Sequence, residues 1–335
     1  MSGFFLNILE TIEGWLAAIG WEQTYGWAIV LFTLLIRVVL LPLDIKSKKS
    51  MRAMNKIQPK VQALQKKYAN DRDKLNMKLN ELYRKEKVSP MTSCLPMLIS
   101  LPILFLMFAA MRNLASERTI QMILDIKETG TIPTTFEGWL WIKNVFQPDS
   151  FGASILPKVG DQLKNVATFK GAVVATQANI DLCREYLASP EYAALLAESG
   201  IAGNFQSIPL IFKWAITLPK TFGDIKYANG LFILPLLAAI SQFLMTKFTG
   251  NTQPQANSQD PNQQAANNAM NSGLMKWFFP LFSLWICAQY NAAFAIYWMA
   301  ANVIQIIQQL AVNWYFDRKD KQEAAAEEIE TNFIK

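Results

Sequence analysis

Tyr25–Leu43, YGWAIVLFTLLIRVVLLPL, is apolar nearly end to end and carries a single charge, Arg37. As a helix it rises about 28 Å, enough to cross a hydrocarbon core. A charge inside such a segment costs roughly 2.5 kcal/mol or more, so it is rarely idle. A strongly basic hydrophilic stretch, Asp44–Lys87, follows at once. Residues 44–90 hold 14 Lys/Arg against 5 Asp/Glu, so their net charge of +9 exceeds the +6 of the whole chain. Such an arm suits anionic lipid headgroups or RNA, both of which present dense phosphate.

The rest of the composition narrows the class. The chain is 52% hydrophobic and 17% charged, with positive mean hydropathy, which is too apolar and too uneven for an ordinary soluble domain. Its ten Trp and nine Tyr fit interfacial aromatic anchors. There is no His, which removes His-based acid–base catalysis, Ser-His or Cys-His nucleophile pairs and most zinc sites. Cys94, Cys183 and Cys287 have no metal-site spacing, and two of them fall in expected spans, so neither a metal site nor a disulfide framework is expected. The N-terminus, MSGFFLNILETIEGW, has no basic leader and does not read as a cleaved signal.

From these patterns we expect an all-α polytopic membrane protein with five transmembrane helices and a cytoplasmic helical hairpin. Within residues 1–24, Phe4, Phe5, Ile8, Leu9, Ile12, Trp15, Leu16 and Ile19 fall at helical spacing, as in an outer interfacial amphipathic helix or an ordinary packing helix. Span one is 25–43, with Pro42 expected to bend or end it. The lysines that follow make this end cytoplasmic, and the N-terminus, with three Glu and no Lys or Arg before Tyr25, lies outside.

In residues 44–90, Ile57, Val61, Leu64 and Tyr68 form one apolar stripe, and Leu75, Leu79 and Leu82 form another. A turn at Asn70–Asp73 joins them, which gives either an antiparallel hairpin kinked at Pro59 or a solvated linker. Span two is 91–111, with Pro96 and Pro102 inside it. Residues 112–229 balance their charges and are placed outside, with Trp139 and Trp141 at the interface. Within them Ile208–Leu218 is too short, and too charged at Lys213, to count as a span.

Span three is 230–248. Residues 249–273, rich in Asn, Gln, Ala and Pro, read as a flexible cytoplasmic loop. Spans four and five are 274–289 and 292–313, and the first of these is short, so the bilayer thins there or the boundaries slip. Residues 314–335 form a charged cytoplasmic tail.

Polar groups in these spans fall in patterns. Thr33 lies one turn before Arg37, and Trp298, Asn302, Gln305 and Gln309 form one continuous stripe on span five. Gln242 lies in span three, and Ser93 and Ser100 in span two. No span holds an acidic residue. This favours a water-accessible, positively charged cavity, in which Arg37 meets water rather than a fixed carboxylate of a span. The alternatives are a snorkelling arginine and ordinary interhelical hydrogen bonds.

The run IRVVLLPLDIKSKKSMRAMNKIQPKVQALQKKYANDRDKLNMKLNELYRKEKVSPMTSCLPMLISLPILFLMF, residues 36–108, closely resembles the YidC-type membrane protein insertases, a family with mitochondrial and chloroplast relatives. The matching pieces are Arg37, Pro42-Leu43, Gln58-Pro59, Leu82-Tyr83, Val88-Ser89-Pro90, Cys94-Leu95-Pro96 and Leu101-Pro102-Ile103. LWIKNVFQPDS at 140–150 resembles the family's outer-interface motif. Ile233-Leu234-Pro235, Ser241–Lys247, Ile296-Tyr297-Trp298 and Ile306–Gln309 resemble its third and fifth spans. Two departures stand out: Tyr290-Asn291-Ala292-Ala293 replaces the usual Phe-Pro-Ala-Gly, and residues 152–229 look inserted, as a candidate partner-binding element.

The resemblance implies a bacterial plasma-membrane insertase and chaperone with no enzymatic step and no cofactor. Its hydrophilic groove, closed outside but open to cytoplasm and lipid, would be lined by Arg37, Thr33, Gln242, Trp298, Asn302 and Gln305. The hairpin, through Lys56, Lys60, Lys66, Lys67, Arg72 and Lys74, would recruit clients. The implied partners are nascent membrane proteins with hydrophobic spans, the ribosome, the Sec translocon and anionic lipids. The competing reading is a small-anion transporter or channel using Arg37 in a water-filled cavity. An internal repeat, common in transporters, is not evident. A membrane enzyme that clamps an anion with Arg37 lacks an obvious acid–base pair.

Overall fold

Helix α2 carries the chain from Thr24 to Lys67 without a break, through both Pro42 and Pro59. Pro42 therefore does not end it. Each proline removes one N–H from the ladder, and the flanking bonds keep the helix going. The computed structural model describes residues 2–88, 90–157, 163, 176–199, 205–209, 215–221, 226, 228–250 and 273–333. The expected flexible loop falls largely on 251–272, outside the described residues, and so do the side chains of Ser93, Cys94, Ser100 and Lys213.

The other helices are α1 (Ser2–Ala18), α3 (Arg72–Lys85), α4 (Pro90–Thr129), α5 (Gln177–Leu187), α6 (Pro190–Ser199), α7 (Ile233–Gly250), α8 (Gly273–Gln289) and α9 (Ala292–Phe333). One antiparallel strand pair, β1 (Phe205–Pro209) with β2 (Ala215–Pro219), registers Ser207 opposite Thr217. Among the described residues the regular structure is helical apart from this strand pair, whose strands fall at the two ends of the apolar stretch Ile208–Leu218. Among the described residues, α2 and α9 are long and apolar enough to cross a membrane. Only 22% of the most apolar window of α2 is buried, unlike the core helix of a soluble protein. Helix α4 continues well past residue 111, and α9 runs through the charged tail to Phe333.

The chain divides into two compact units. The first comprises Met1–Leu35, Leu101–Ile240 and Pro280–Ala300. In it α1 buries Leu9 and Leu16 and leaves Phe4 and Trp15 exposed, as is Ile19 just past its end. Phe5 meets Phe32 edge-on, and Thr24 Oγ1 donates to Glu13 Oε1 at 2.9 Å. Gly26 is obligatory, because a Cβ there would sit 2.1 Å from the Trp139 ring. Ile120, Ile123 and Ile126 of α4 pack on Ile180, Cys183, Tyr186 and Leu187 of α5, and on Tyr192 of α6. Part of the apparently inserted stretch therefore builds an apolar core against α4.

A polar knot closes this unit. Asp149 accepts from the backbone N–H groups of Phe232 (2.9 Å) and Leu234 (2.7 Å) and so caps α7. Asn229 donates to the carbonyls of Asn144, Gln147 and Pro148 and accepts from the Asn144 N–H. The Tyr290–Ala293 turn is tied to the same loop: Ala292 N–H donates to Gln147 O, and Ala293 N–H to Val145 O. In that turn Asn291 accepts from Phe294 N–H at 2.9 Å and caps α9.

The second unit comprises Ile36–Ser100, Ser241–Phe279 and Ala301–Lys335. Met54, Ile57 and Val61 of α2 pack on Leu79, Leu82, Tyr83 and Val88, so the two arms close through a narrow apolar seam. Asp71 caps α3 by accepting from Lys74 N–H at 3.0 Å.

Candidate functional site

The second unit gathers polar side chains on helices whose other faces are greasy. Val38, Val39, Phe243, Leu244, Ile307 and Leu310 are exposed there. On α2, Arg37, Asp44 and Lys48 fall at i, i+7 and i+11, which is one face. Arg37 lies near enough to Asp44 for its charge to act on that carboxylate. A fixed acid of this chain therefore does share the arginine's field. The expectation of a partner from water and clients alone missed it because Asp44 sits one residue past the span.

On α9, Asn302 donates to Ser241 Oγ and Gln242 Oε1 of α7, both at 3.2 Å. Further along, Gln308 Nε2 donates to Asp44 Oδ2 at 2.7 Å, and Lys48 Nζ donates to Gln309 Oε1 at 2.8 Å. Lys48 is buried. Asn302 is buried and Gln305 half-buried, so from Asn302 to Gln309 the seam runs along α9 for about two turns. Beyond it Arg52 bonds Asp317 and Asp320 and stacks over Phe316.

The structure thus brings Gln242 and Asn302 into hydrogen-bond contact, and Asp44, Lys48, Ser241 and Gln308 join the polar seam. Thr33 belongs to the first unit, where it is buried and its hydroxyl donates to Ile29 O at 2.7 Å. Its hydroxyl is thus occupied by its own helix. Trp298 also belongs to the first unit. Its ring lies 5.6 Å from Phe294, and its indole N–H is buried without a hydrogen-bond partner among the described residues. The signal that could have found Asp44 and Lys48 was their helical spacing from Arg37.

The six hairpin cations differ in their engagement. Lys56 pairs with Asp320, Lys60 with Glu86 at 2.6 Å and Lys74 with Asp71 at 2.9 Å. Lys66, Lys67 and Arg72 at the tip are exposed and make no ion pair among the described residues. The Lys60 ammonium holds the Glu86 carboxyl below the usual glutamate range.

The profile of the 60Kd inner membrane protein family matches residues 16–320. The chain belongs to this family. Proteins named membrane protein insertase YidC are similar to it. That of Fusobacterium nucleatum is 48% identical over 110 residues, covering 33% of this chain and 49% of the relative. That of Chlorobaculum tepidum is 25% identical over 301 residues, 90% of this chain and 35% of the relative. In Anaeromyxobacter sp. the match is 43% over 110 residues, 33% of this chain and 20% of the relative. The chain spans about half, or less, of the length of the curated relatives it matches. Within the 60Kd inner membrane protein family, the extent of the profile match takes in α2, α4, α7, α8 and most of α9.

Proposed function

We propose that this chain is a membrane protein insertase and chaperone, with five spans, the N-terminus outside and the C-terminus in the bacterial cytoplasm. The observation that carries the reading is the seam in the second unit. Arg37, Asp44, Lys48, Gln242, Asn302, Gln308 and Gln309 line up on helices that otherwise expose apolar side chains. Such a seam draws water to membrane depth and lowers the cost of bringing a polar client segment partway across.

In this reading the surplus of cations over Asp44 attracts acidic residues in a translocating tail. The client's hydrophobic helix leaves along the greasy faces of α7 and α9, where burial in lipid drives release. The membrane potential adds about 2.3 kcal/mol per charge per 100 mV for negative tails moving outward. Binding and partition suffice, with no covalent step and no cofactor. The exposed tip cations Lys66, Lys67 and Arg72 suit ribosomal RNA or anionic headgroups, and the hairpin around them is the docking element for ribosome, Sec translocon or client.

Reconstitution tests the reading. Purified protein in liposomes is expected to raise insertion of a small single-span client with an acidic external tail above that of empty liposomes. Equal insertion with and without the protein sinks the proposal, and flux of small anions through the same vesicles would favour a transporter instead.

A further inference from the structure

The first unit contains a cavity of about 420 Å³ that the proposed insertion path does not use. Arg112, Ser116 and Thr119 of α4 line it at i, i+4 and i+7, one face of the helix. Gln147 of the capping loop and Gln289 at the end of α8 add amides, and Trp285 stands at an exposed position of the wall. Ser116, Thr119 and Gln147 are buried.

Arg112 is the unusual member. Its Nε is sealed from solvent and has no hydrogen-bond partner among the described residues. Its guanidinium lies 5.7 Å from the Phe108 ring centre and makes no ion pair among the described residues. The nearby Arg118, by contrast, faces Glu10 at 3.8 Å. A buried guanidinium N–H without an acceptor is a group waiting for an anion. Two hydroxyls and two amides around it supply donors, and a planar guanidinium fits a tetrahedral oxyanion with two parallel bonds.

We propose that this cavity binds a phosphate group through Arg112, Ser116 and Thr119, and that the phosphate is the phosphodiester of an anionic phospholipid. The volume exceeds what a bare phosphate fills and lies in the range of pockets that hold a whole headgroup. Trp285 offers an apolar surface for the start of an acyl chain. The lipid source rests on the topology in the proposed function, which puts Arg112 at the outer end of its span. The oxyanion chemistry does not.

Native mass spectrometry of the full-length, delipidated protein tests the site without any insertion assay. Phosphatidylglycerol is expected to stay bound to the native protein at least tenfold more tightly than to Arg112→Gln, with phosphatidylcholine weak on both. Arg112→Lys is expected to recover part of the difference. A Ser116→Ala/Thr119→Val double variant keeps the arginine and is expected to lose several-fold, so the test survives if Arg112→Gln fails to fold. Inorganic phosphate at millimolar concentration serves as the second arm: displacement by phosphate, with no preference for the lipid, overturns the lipid source. Identical phosphatidylglycerol retention by the native protein, Arg112→Gln and the Ser116→Ala/Thr119→Val double variant overturns the site, whether or not the protein inserts clients.

Discussion

Gln308 donates its amide hydrogen to Asp44 Oδ2 at 2.7 Å, and Arg37 acts on the same carboxylate two turns earlier on α2. Asp44 therefore sets how much of the arginine's field is left for anything else. Removing it should strengthen attraction for acidic tails, while Arg37→Ala should weaken it. In reconstituted insertion, Arg37→Ala is expected to lower the yield of acidic-tailed clients by about fivefold, equivalent to ~1 kcal/mol. Arg37→Lys should be milder, Asp44→Asn should raise that yield, and neutral-tailed clients should respond little. Equal responses of acidic and neutral clients would mean that the charge only snorkels.

Arg52 joins α2 to the far part of α9, with Asp317 at 2.6 Å and Asp320 at 2.9 Å. The acids are substantially exposed, so the pairs contribute no more than about 1 kcal/mol and are screened by salt. Arg52→Ala is expected to speed proteolysis downstream of Asn313 while leaving the spans protected. High salt should have a similar effect on the native protein, visible by mass mapping of the fragments.

The hairpin should loosen in acid. Lys60 holds Glu86 ionised to a lower pH than in the unfolded chain. A depressed carboxylate pKa contributes stability that is present above the unfolded value of about 4.3 and lost as pH falls through the folded value. Amide exchange in residues 54–88 is expected to accelerate below that range. In Lys60→Met this pH dependence should shrink, whereas the exchange of α7 should be the same in both proteins.

Gly230 leaves room for the carboxylate that caps α7. A Cβ at this position would lie 2.0 Å from Asp149 Oδ1, so Gly230→Ala must displace the cap. Asp149→Ala removes the cap itself and is expected to cost about 1–2 kcal/mol. Both variants should melt earlier in detergent than the native protein, with Gly230→Ala at least as damaged. An unshifted melting curve for either would show that the knot is not under tension.

Much of this architecture was legible because its signals are local. The apolar run at Tyr25–Leu43, the positive flank and the turn before Ala292 each follow from neighbouring residues. The polar stripe on α9 was legible for the same reason, and its Asn302 meets Gln242. The hidden features depend on residues distant in sequence. Asp149 caps a helix that starts more than eighty residues later, and no local pattern announces that bond. The β1–β2 pair replaces what composition showed only as a short apolar stretch. Thr33 shared a helix face with Arg37 on paper, yet its hydroxyl turns back to Ile29 O, a choice open to any threonine inside a helix.

One unbroken helix carries both Arg37 and the arm that packs through Val61. About 36 Å of rise separates the two, so α2 is a shaft rather than a pair of independent segments. Pro42 and Pro59 each omit one bond from the ladder and are the points where that shaft yields. Whatever grips the arm therefore transmits torque to the arginine, with one joint five residues beyond it and another within the arm itself.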